Sequence, residues 1–189
     1  WDTGLRSQSV EAEQVSVSGL LPKKAKLTAD DMLWRYGRPR DLRKDAGDEA
    51  ETLAAYDITL SGKNGEFQPE KGETVSVSIQ NDAISENKRM EVWHLKDNGS
   101  VEVISDFTVD GNTISFDVNG FSVYMVVQIT KEQVLTAGDG NQYKITVTYD
   151  SDAGIPEDAE LEVTELDADD KDYKKLKALL TPMPELTKT

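Results

Sequence analysis

The chain has 189 residues, of which 36 are Asp or Glu and 21 are Lys or Arg, so its net charge at neutral pH is -15. Nucleic acids and anionic membrane surfaces repel such a charge, which argues against both as partners. The sequence contains no cysteine and one histidine, which excludes disulfides, thiolate metal sites and zinc sites built from clustered histidines.

The acidic run DSDAGIPED at 150–158 has the oxygen-rich composition of a calcium loop. It lacks the glycine at the sixth position and the glutamate at the twelfth that define the EF-hand, and a solvated turn is the favoured interpretation. We expect neither a metal nor a cofactor.

Hydropathy along the chain argues against membrane insertion. No apolar run approaches the roughly 20 residues that a membrane-spanning helix needs. The sequence starts at Trp1 without a methionine or a signal peptide, and we expect it to be a piece of a longer protein.

The first part of the chain predicts short strands. Residues 1–14 are polar and weakly patterned, as in a linker or an edge segment. Apolar and polar residues then alternate with period two over 15–18 and again over 25–29, which predicts two strands. Pro22 separates them, because proline cannot donate a hydrogen bond within a central strand.

Residues from about 29 to 55 predict a helical insertion between strands, with one helix after Thr28 and a second over 48–55. The insertion combines aromatic and basic side chains, which suit a carboxylate-bearing partner such as a host protein or a glycan. A second interpretation is a solvated insertion whose aromatic residues simply pack onto the sheet. The candidate binding residues are Trp34, Arg35, Tyr36, Arg38 and Arg40.

The middle of the chain predicts an antiparallel β-sandwich. Alternating runs recur at 56–60, 74–79 and 90–95, bounded by Gly, Asn and Asp turns. Asp110-Gly111-Asn112 lies between two further runs and predicts a tight hairpin. Residues 121–129 are almost continuously apolar, as in a strand covered on both faces. One module over 15–136, mainly β and carrying the helical insertion, accounts for these signals.

A weak internal repeat predicts the start of a second, similar module over 137–189. The alternation at 145–148 echoes that at 15–18, and a P-x-x-A-x-L pattern recurs before a helical run at 169–180. We expect this partial repeat of strands plus helix to expose an edge and to be mobile, to pair with the first module or to swap between chains. Neighbouring modules of the same protein are the expected partners. The P-x-x-A-x-L residues are Pro22, Ala25 and Leu27 in the first copy and Pro156, Ala159 and Leu161 in the second.

Three segments together resemble the repeated extracellular, ZU5-like β-sandwich domains of large Firmicutes cell-surface proteins. They are VSVSGLLPKKAKLTA at 15–29, AYDITLSGKNGEFQP at 55–69, and VWHLKDNGSVEVI at 92–104 with the later ending GFSVYMVV. The resemblance covers about residues 15–128. It implies an extracellular, non-enzymatic stalk or adhesin module at the surface of a Gram-positive bacterium.

The same resemblance implies an alternative function, self-cleavage. Autoproteolytic ZU5-type domains cut between Phe and Ser of a His-Phe-Ser motif, and Phe121-Ser122 occupies the matching strand. The position of the assisting histidine holds Gly120, so His94 would have to approach from another strand. The alternative thus names Phe121, Ser122 and His94 as the reacting residues. In the favoured interpretation Phe121 is a core residue, His94 is a hydrogen-bonded structural residue, and the chain has no catalytic residue.

Overall fold

The computed structural model describes residues 4–39, 42, 49–156 and 158–179, with the side chain of residue 178 left aside. These residues form twelve strands, two helices and a short 3-10 turn at Ser151–Ala153. The helices are α1 (Leu33–Tyr36) and α2 (Lys171–Leu179). The strands are β1 (Leu5–Ala12), β2 (Val15–Pro22), β3 (Lys26–Asp31), β4 (Glu49–Gly62), β5 (Gly65–Phe67), β6 (Val75–Gln80), β7 (Met90–Leu95), β8 (Val101–Ile104), β9 (Phe107–Asp110), β10 (Thr113–Val118), β11 (Val123–Thr136) and β12 (Gln142–Val147).

The strands form two sheets. The first has the order β1-β2-β6-β10-β9, and the second has the order β3-β4-β11-β7-β8, with β5 beside β4 and β12 beside β11. Neighbours along both orders run antiparallel. β9 and β10 are joined by the predicted hairpin, in which Gly111 takes a left-handed φ of 58°, a conformation that glycine adopts without steric cost.

One apolar cluster fills the space between the two sheets. Val17 and Val77 from the first sheet and Leu60, Val92 and Val126 from the second are all inaccessible to solvent. Burying each such side chain contributes about 1.5–3 kcal/mol relative to leaving it exposed. The two antiparallel sheets around a shared core confirm the predicted β-sandwich.

A second apolar cluster covers the opposite face of the second sheet. It is built on Trp93, Met125 and Val127, and Tyr36 and Leu42 of the insertion pack against it. All side chains from Tyr124 to Lys131 are consequently buried. This confirms the prediction of a final strand covered on both faces, and it shows what the insertion does: it shields the outer face of the second sheet.

The insertion is less helical than its sequence predicts. Its described helix, α1, has only four residues, and residues 29–31 belong to β3. The second predicted helix, over 48–55, is wrong for 49–55, which begin the 14-residue strand β4. Leu53, Ala54 and Ala55 are buried in succession, because β4 lies between β3 and β11 and is covered on both faces.

The chain divides into two compact units. The first takes the chain up to Lys131 and then Val147–Ala159, and the second takes Glu132–Thr146 and the chain from Glu160 onward. In the second unit, the backbone N–H of Gly138 donates to the Glu165 carboxylate at 2.6 Å. β12 and α2 confirm the strand and the helix predicted near the C-terminus, while their assignment to a second repeat stays a prediction.

The described N-terminal residues lie at an edge of the first sheet. Residues Leu5–Ala12 form β1, an edge strand of the first sheet, which agrees with the edge-segment interpretation of the first 14 residues. Among the helices that the structure describes, none is long and apolar enough to cross a membrane.

Candidate functional site

The register of three strands of the second sheet brings His94, Ser122 and Glu102 together. His94 on β7 lies opposite Tyr124 on β11, so Ser122, just before β11, lies close to it. On its other side, His94 lies opposite Glu102 on β8. Directly opposed residues of an antiparallel pair have Cβ atoms about 4.5–5.5 Å apart, near enough for side chains to interact.

The hydroxyl of Ser122 and the imidazole of His94 form a direct hydrogen bond. His94 Nε2 lies 2.8 Å from Ser122 Oγ, and His94 Nδ1 lies 3.5 Å from a carboxylate oxygen of Glu102. Ser122 Oγ is also 3.0 Å from the carbonyl oxygen of Leu95, to which it can donate. The result is a chain of hydroxyl, imidazole and carboxylate, the order of groups that activates a serine nucleophile in acyl transfer.

Glu102 favours the tautomer in which His94 is a base. A carboxylate beside Nδ1 favours a proton on that nitrogen and leaves the Nε2 lone pair free to accept a proton. Ser122 has one hydroxyl proton, and it can donate either to His94 Nε2 or to the Leu95 carbonyl. The first arrangement prepares a proton transfer from Ser122 to His94, and the second satisfies the hydroxyl without it.

The charge states also suit this chemistry. Burial lowers the pKa of His94 below its ordinary value of 6.5, although Glu102 opposes the shift, so the imidazole is neutral at pH 7. A hydrogen bond from Lys96 holds the pKa of Glu102 below its usual range and keeps its carboxylate charged. Tyr124 stacks on the imidazole with 4.4 Å between ring centroids, which fixes the plane of the ring.

The peptide bond between Phe121 and Ser122 is held from both sides. Phe121 N–H donates to Gln68 Oε1 at 2.7 Å, and Gln68 Nε2 donates back to the Phe121 carbonyl oxygen at 3.2 Å. Ile58 N–H on β4 donates to the Ser122 carbonyl oxygen at 2.9 Å. These contacts fix the orientation of the carbonyl that precedes the Ser122 hydroxyl.

The His94 imidazole has little access to solvent and does not line the cleft that Gln68 lines. Only 10% of the His94 side chain is exposed. A cleft of about 440 Å3 lies beside the β4–β5 hairpin, where Gln68 lines it but neither His94 nor Ser122 does. Attack of Ser122 Oγ on the Phe121 carbonyl carbon closes a five-membered ring through Cβ, Cα and N, whereas attack on the carbonyl of Ser122 itself would close a strained four-membered ring. The side chain of Phe121 is buried.

The predicted binding residues do not form one surface. Trp34 is 81% exposed, and Arg35 and Arg38 are exposed beside it in sequence. Tyr36 packs against the second apolar cluster, and the Arg35 guanidinium lies 5.4 Å from the centroid of its ring. Arg40 lies outside the described residues. The packing interpretation therefore holds for Tyr36 and does not hold for Trp34.

No metal site is indicated by the side chains that can be placed. Within the described part of the chain, no group of three or more His, Asp and Glu residues is arranged to hold an ion. The carboxylate of Asp150, in the acidic run after β12, instead accepts from the backbone N–H of Asp152 and caps the 3-10 turn.

Two residues of the site escaped the sequence analysis, Gln68 and Glu102. Both lie far from Ser122 in sequence, and although they fall within the resembling segments 55–69 and 92–104, no role was predicted for either. The chain has no significant match among protein-family models, curated protein sequences or solved structures. The geometry of the site and the resemblance of the three segments are therefore what the functional proposals rest on.

Proposed function

We propose that the chain is a structural or adhesive module of a bacterial cell-surface protein, with no activity on external substrates. The observation that carries this proposal is the burial of its only histidine, His94, within the second sheet of a β-sandwich, a sheet that is covered on both faces. Such a module resists unfolding and offers its loops and its insertion for contact with partners. The resemblance to extracellular ZU5-like domains supports the location at the cell surface.

Surface location is tested by labelling. Antibodies raised against the module should stain intact, non-permeabilised cells of the bacterium that encodes it, and neighbouring modules of the same protein should remain attached to it in cell-wall extracts. Staining that appears only after permeabilisation would contradict the proposal. An assay of the purified module on ester substrates should show no turnover, because only 10% of the His94 side chain is exposed and neither His94 nor Ser122 lines the cleft of about 440 Å3.

The exposed part of the insertion is the proposed binding surface for a carboxylate-bearing glycan or a host protein. Replacing Arg35, Arg38 and Arg40 by alanine is expected to abolish binding on a glycan array or to host extracts while leaving the melting temperature nearly unchanged, because exposed side chains such as those of Arg35 and Arg38 contribute little to stability. The matched control replaces Lys26, Lys63 and Lys71, three exposed cations elsewhere. Equal binding by both triple variants would show that the insertion is only a solvated surface.

One specific observation favours a second function, self-cleavage between Phe121 and Ser122. His94 Nε2 lies 2.8 Å from Ser122 Oγ, so the base that the His-Phe-Ser motif lacks at Gly120 is supplied from β7. The two functions are compatible, because the halves of a cut β-sandwich stay together through their shared sheets.

The reaction needs only the chain and one water molecule. Ser122 Oγ gives its proton to His94 Nε2 and bonds to the Phe121 carbonyl carbon. The Phe121–Ser122 C–N bond then breaks as His94 returns the proton to the departing nitrogen. This leaves an ester between Phe121 and the Ser122 oxygen, with a free Ser122 amino group. Water hydrolyses the ester to a Phe121 carboxylate and restores the Ser122 hydroxyl.

Mass spectrometry under denaturing conditions distinguishes the two functions. A self-cleaving chain is expected to appear as two fragments, one ending at Phe121 and one beginning at Ser122, whose summed mass exceeds that of the chain by one water. The Ser122→Ala variant is the control and should remain a single species. A wild-type chain that stays intact after prolonged incubation at neutral pH, with the ester-cleaving nucleophile hydroxylamine added, would contradict self-cleavage and leave the structural function alone.

A further inference from the structure

The side-chain amide of Gln68 makes two hydrogen bonds with one residue, Phe121. Its Oε1 accepts from Phe121 N–H at 2.7 Å, and its Nε2 donates to the Phe121 carbonyl oxygen at 3.2 Å. The remaining Nε2 proton reaches a Glu66 carboxylate oxygen, also at 3.2 Å. Gln68 follows β5 and thus approaches Phe121 from a different part of the chain than His94 does.

The orientation of the amide is determined by its partners. A backbone N–H can only donate, so the oxygen of the Gln68 amide has to face Phe121 N. The NH2 group is then directed to the Phe121 carbonyl, and the Glu66 carboxylate, which can only accept, holds the second proton. Each donor and acceptor of the Gln68 amide thereby has a partner of the opposite kind.

We propose that Gln68 donates a hydrogen bond to the oxyanion that develops on the Phe121 carbonyl oxygen, an inference that rests on the proposed self-cleavage. When Ser122 attacks, negative charge moves onto this oxygen, and donors about 2.7–3.1 Å from it lower the barrier. Gln68 Nε2 starts 3.2 Å from the uncharged oxygen, and the growing charge shortens such a bond. Gln68 and His94 would then act on opposite ends of the same step, the oxyanion and the attacking hydroxyl.

A purely structural role makes a different prediction. If the pair of hydrogen bonds only anchors the segment before β11, any side chain that accepts from Phe121 N–H should serve. If Nε2 is an oxyanion donor, an acceptor alone should fail. Glutamate at position 68 separates these roles, because it keeps an oxygen for Phe121 N–H but replaces the donor with a charged oxygen.

The experiment compares the cleavage rates of wild type, Gln68→Ala and Gln68→Glu. Denaturing mass spectrometry of samples taken at intervals after refolding measures each rate. Both variants are expected to cleave about 10²-fold more slowly than wild type, the usual loss when one oxyanion donor is removed. Glu70→Gln is the matched control, since Glu70 is an exposed carboxylate that lines the same cleft two residues away, and its rate should stay within a few-fold of wild type. Thermal melts of each variant identify any that fails to fold.

A second measurement reports the hydrogen bond without cleavage. The Ser122→Ala background keeps the peptide bond between residues 121 and 122 intact. The carbonyl of Phe121 carries a 13C label. Replacing Gln68 by alanine should raise the amide I frequency of this carbonyl, because a hydrogen bond to the oxygen weakens the C=O bond.

The outcomes separate the inference from the function on which it rests. Wild-type cleavage together with a Gln68→Glu rate equal to wild type overturns the oxyanion role and leaves self-cleavage in place. An unchanged amide I frequency in the Gln68→Ala variant overturns it as well. A wild-type chain that never cleaves overturns both self-cleavage and the oxyanion role of Gln68. Slow cleavage by both Gln68 variants, with folded protein, supports the assignment.

Discussion

Replacing Trp93 by alanine is expected to lower the free energy of unfolding by about 3–5 kcal/mol, the usual cost of truncating a buried tryptophan or phenylalanine. Trp93 is fully buried in the apolar cluster on the outer face of the second sheet. Its indole N–H donates to Glu91 at 2.7 Å, so truncation also removes a hydrogen bond. A loss of this size is a large share of the 5–15 kcal/mol that stabilises a typical domain.

Trp34→Ala is the matched control for this prediction. The same truncation is made in the insertion that packs against this cluster, but Trp34 is 81% exposed, and the expected change lies within about 0.5 kcal/mol. Urea denaturation followed by circular dichroism measures both variants. If Trp93→Ala lowers the free energy of unfolding as little as Trp34→Ala does, the second cluster is not part of the cooperative core and the insertion does not shield the outer face.

Strands that alternate in hydropathy were the most predictable part of the fold. The runs at 74–79 and 90–95 correspond to β6 and β7 with at most one residue of difference at either end. In β6, every second residue from Val75 to Ile79 is buried, which is the physical basis of the signal. Where both faces are covered, as in β11, a continuous apolar run replaces alternation, and its length and turns still predicted a strand.

At the start of β4, the helix propensity of the residues led to a wrong prediction of a helix. Residues 49–55 read EAETLAA, and Glu, Ala and Leu are among the best helix formers. The segment forms a strand because it lies between β3 and β11 and buries Leu53 and Ala55 on opposite faces. Tertiary pairing of this kind outweighs helix propensities of a few tenths of a kcal/mol per residue, and it is not encoded within the segment itself.

The site was predictable in its residues but not in its geometry. Phe121, Ser122 and His94 stood out by residue type and by resemblance, yet the distance between His94 and Ser122 depends on the register of β7 with β11. A shift of one residue in that register would turn His94 to the other face of the sheet. Glu102 enters through a second register, that of β7 with β8. Gln68 follows a three-residue strand and has no periodic signal at all.

Cleavage should depend on pH through His94. Burial lowers its pKa below 6.5, so the rate is expected to be flat above pH 6.5 and to fall only as the pH drops through that lowered value. The unfolded chain protonates His94 near its ordinary pKa, so protonation favours unfolding. The stability that comes from neutral His94 is therefore present above pH 6.5 and is lost as the pH falls. Circular dichroism at each pH separates slower cleavage from unfolding.

The largest effect on cleavage is expected from the Ser–His pair itself. Ser122→Ala removes the nucleophile and should abolish cleavage, whereas Ser122→Cys keeps a nucleophile and should retain it. His94→Gln keeps a hydrogen-bonding side chain of similar reach but no base at neutral pH, and it should slow cleavage by about 10²–10⁴-fold, the usual contribution of general acid–base catalysis. Denaturing mass spectrometry after refolding gives all three rates.

The rate and the melting temperature of His94→Gln together decide whether the 2.8 Å contact between His94 and Ser122 serves catalysis or stability. If His94 is the base, the variant stays folded, cleaves slowly and loses the fall in rate at acidic pH, because no group with that pKa remains. If His94 only satisfies the Ser122 hydroxyl, the variant cleaves at the wild-type rate or melts at a lower temperature without a change in pH profile. The second result would assign the contact to stability, since Leu95 O already offers Ser122 an alternative acceptor at 3.0 Å.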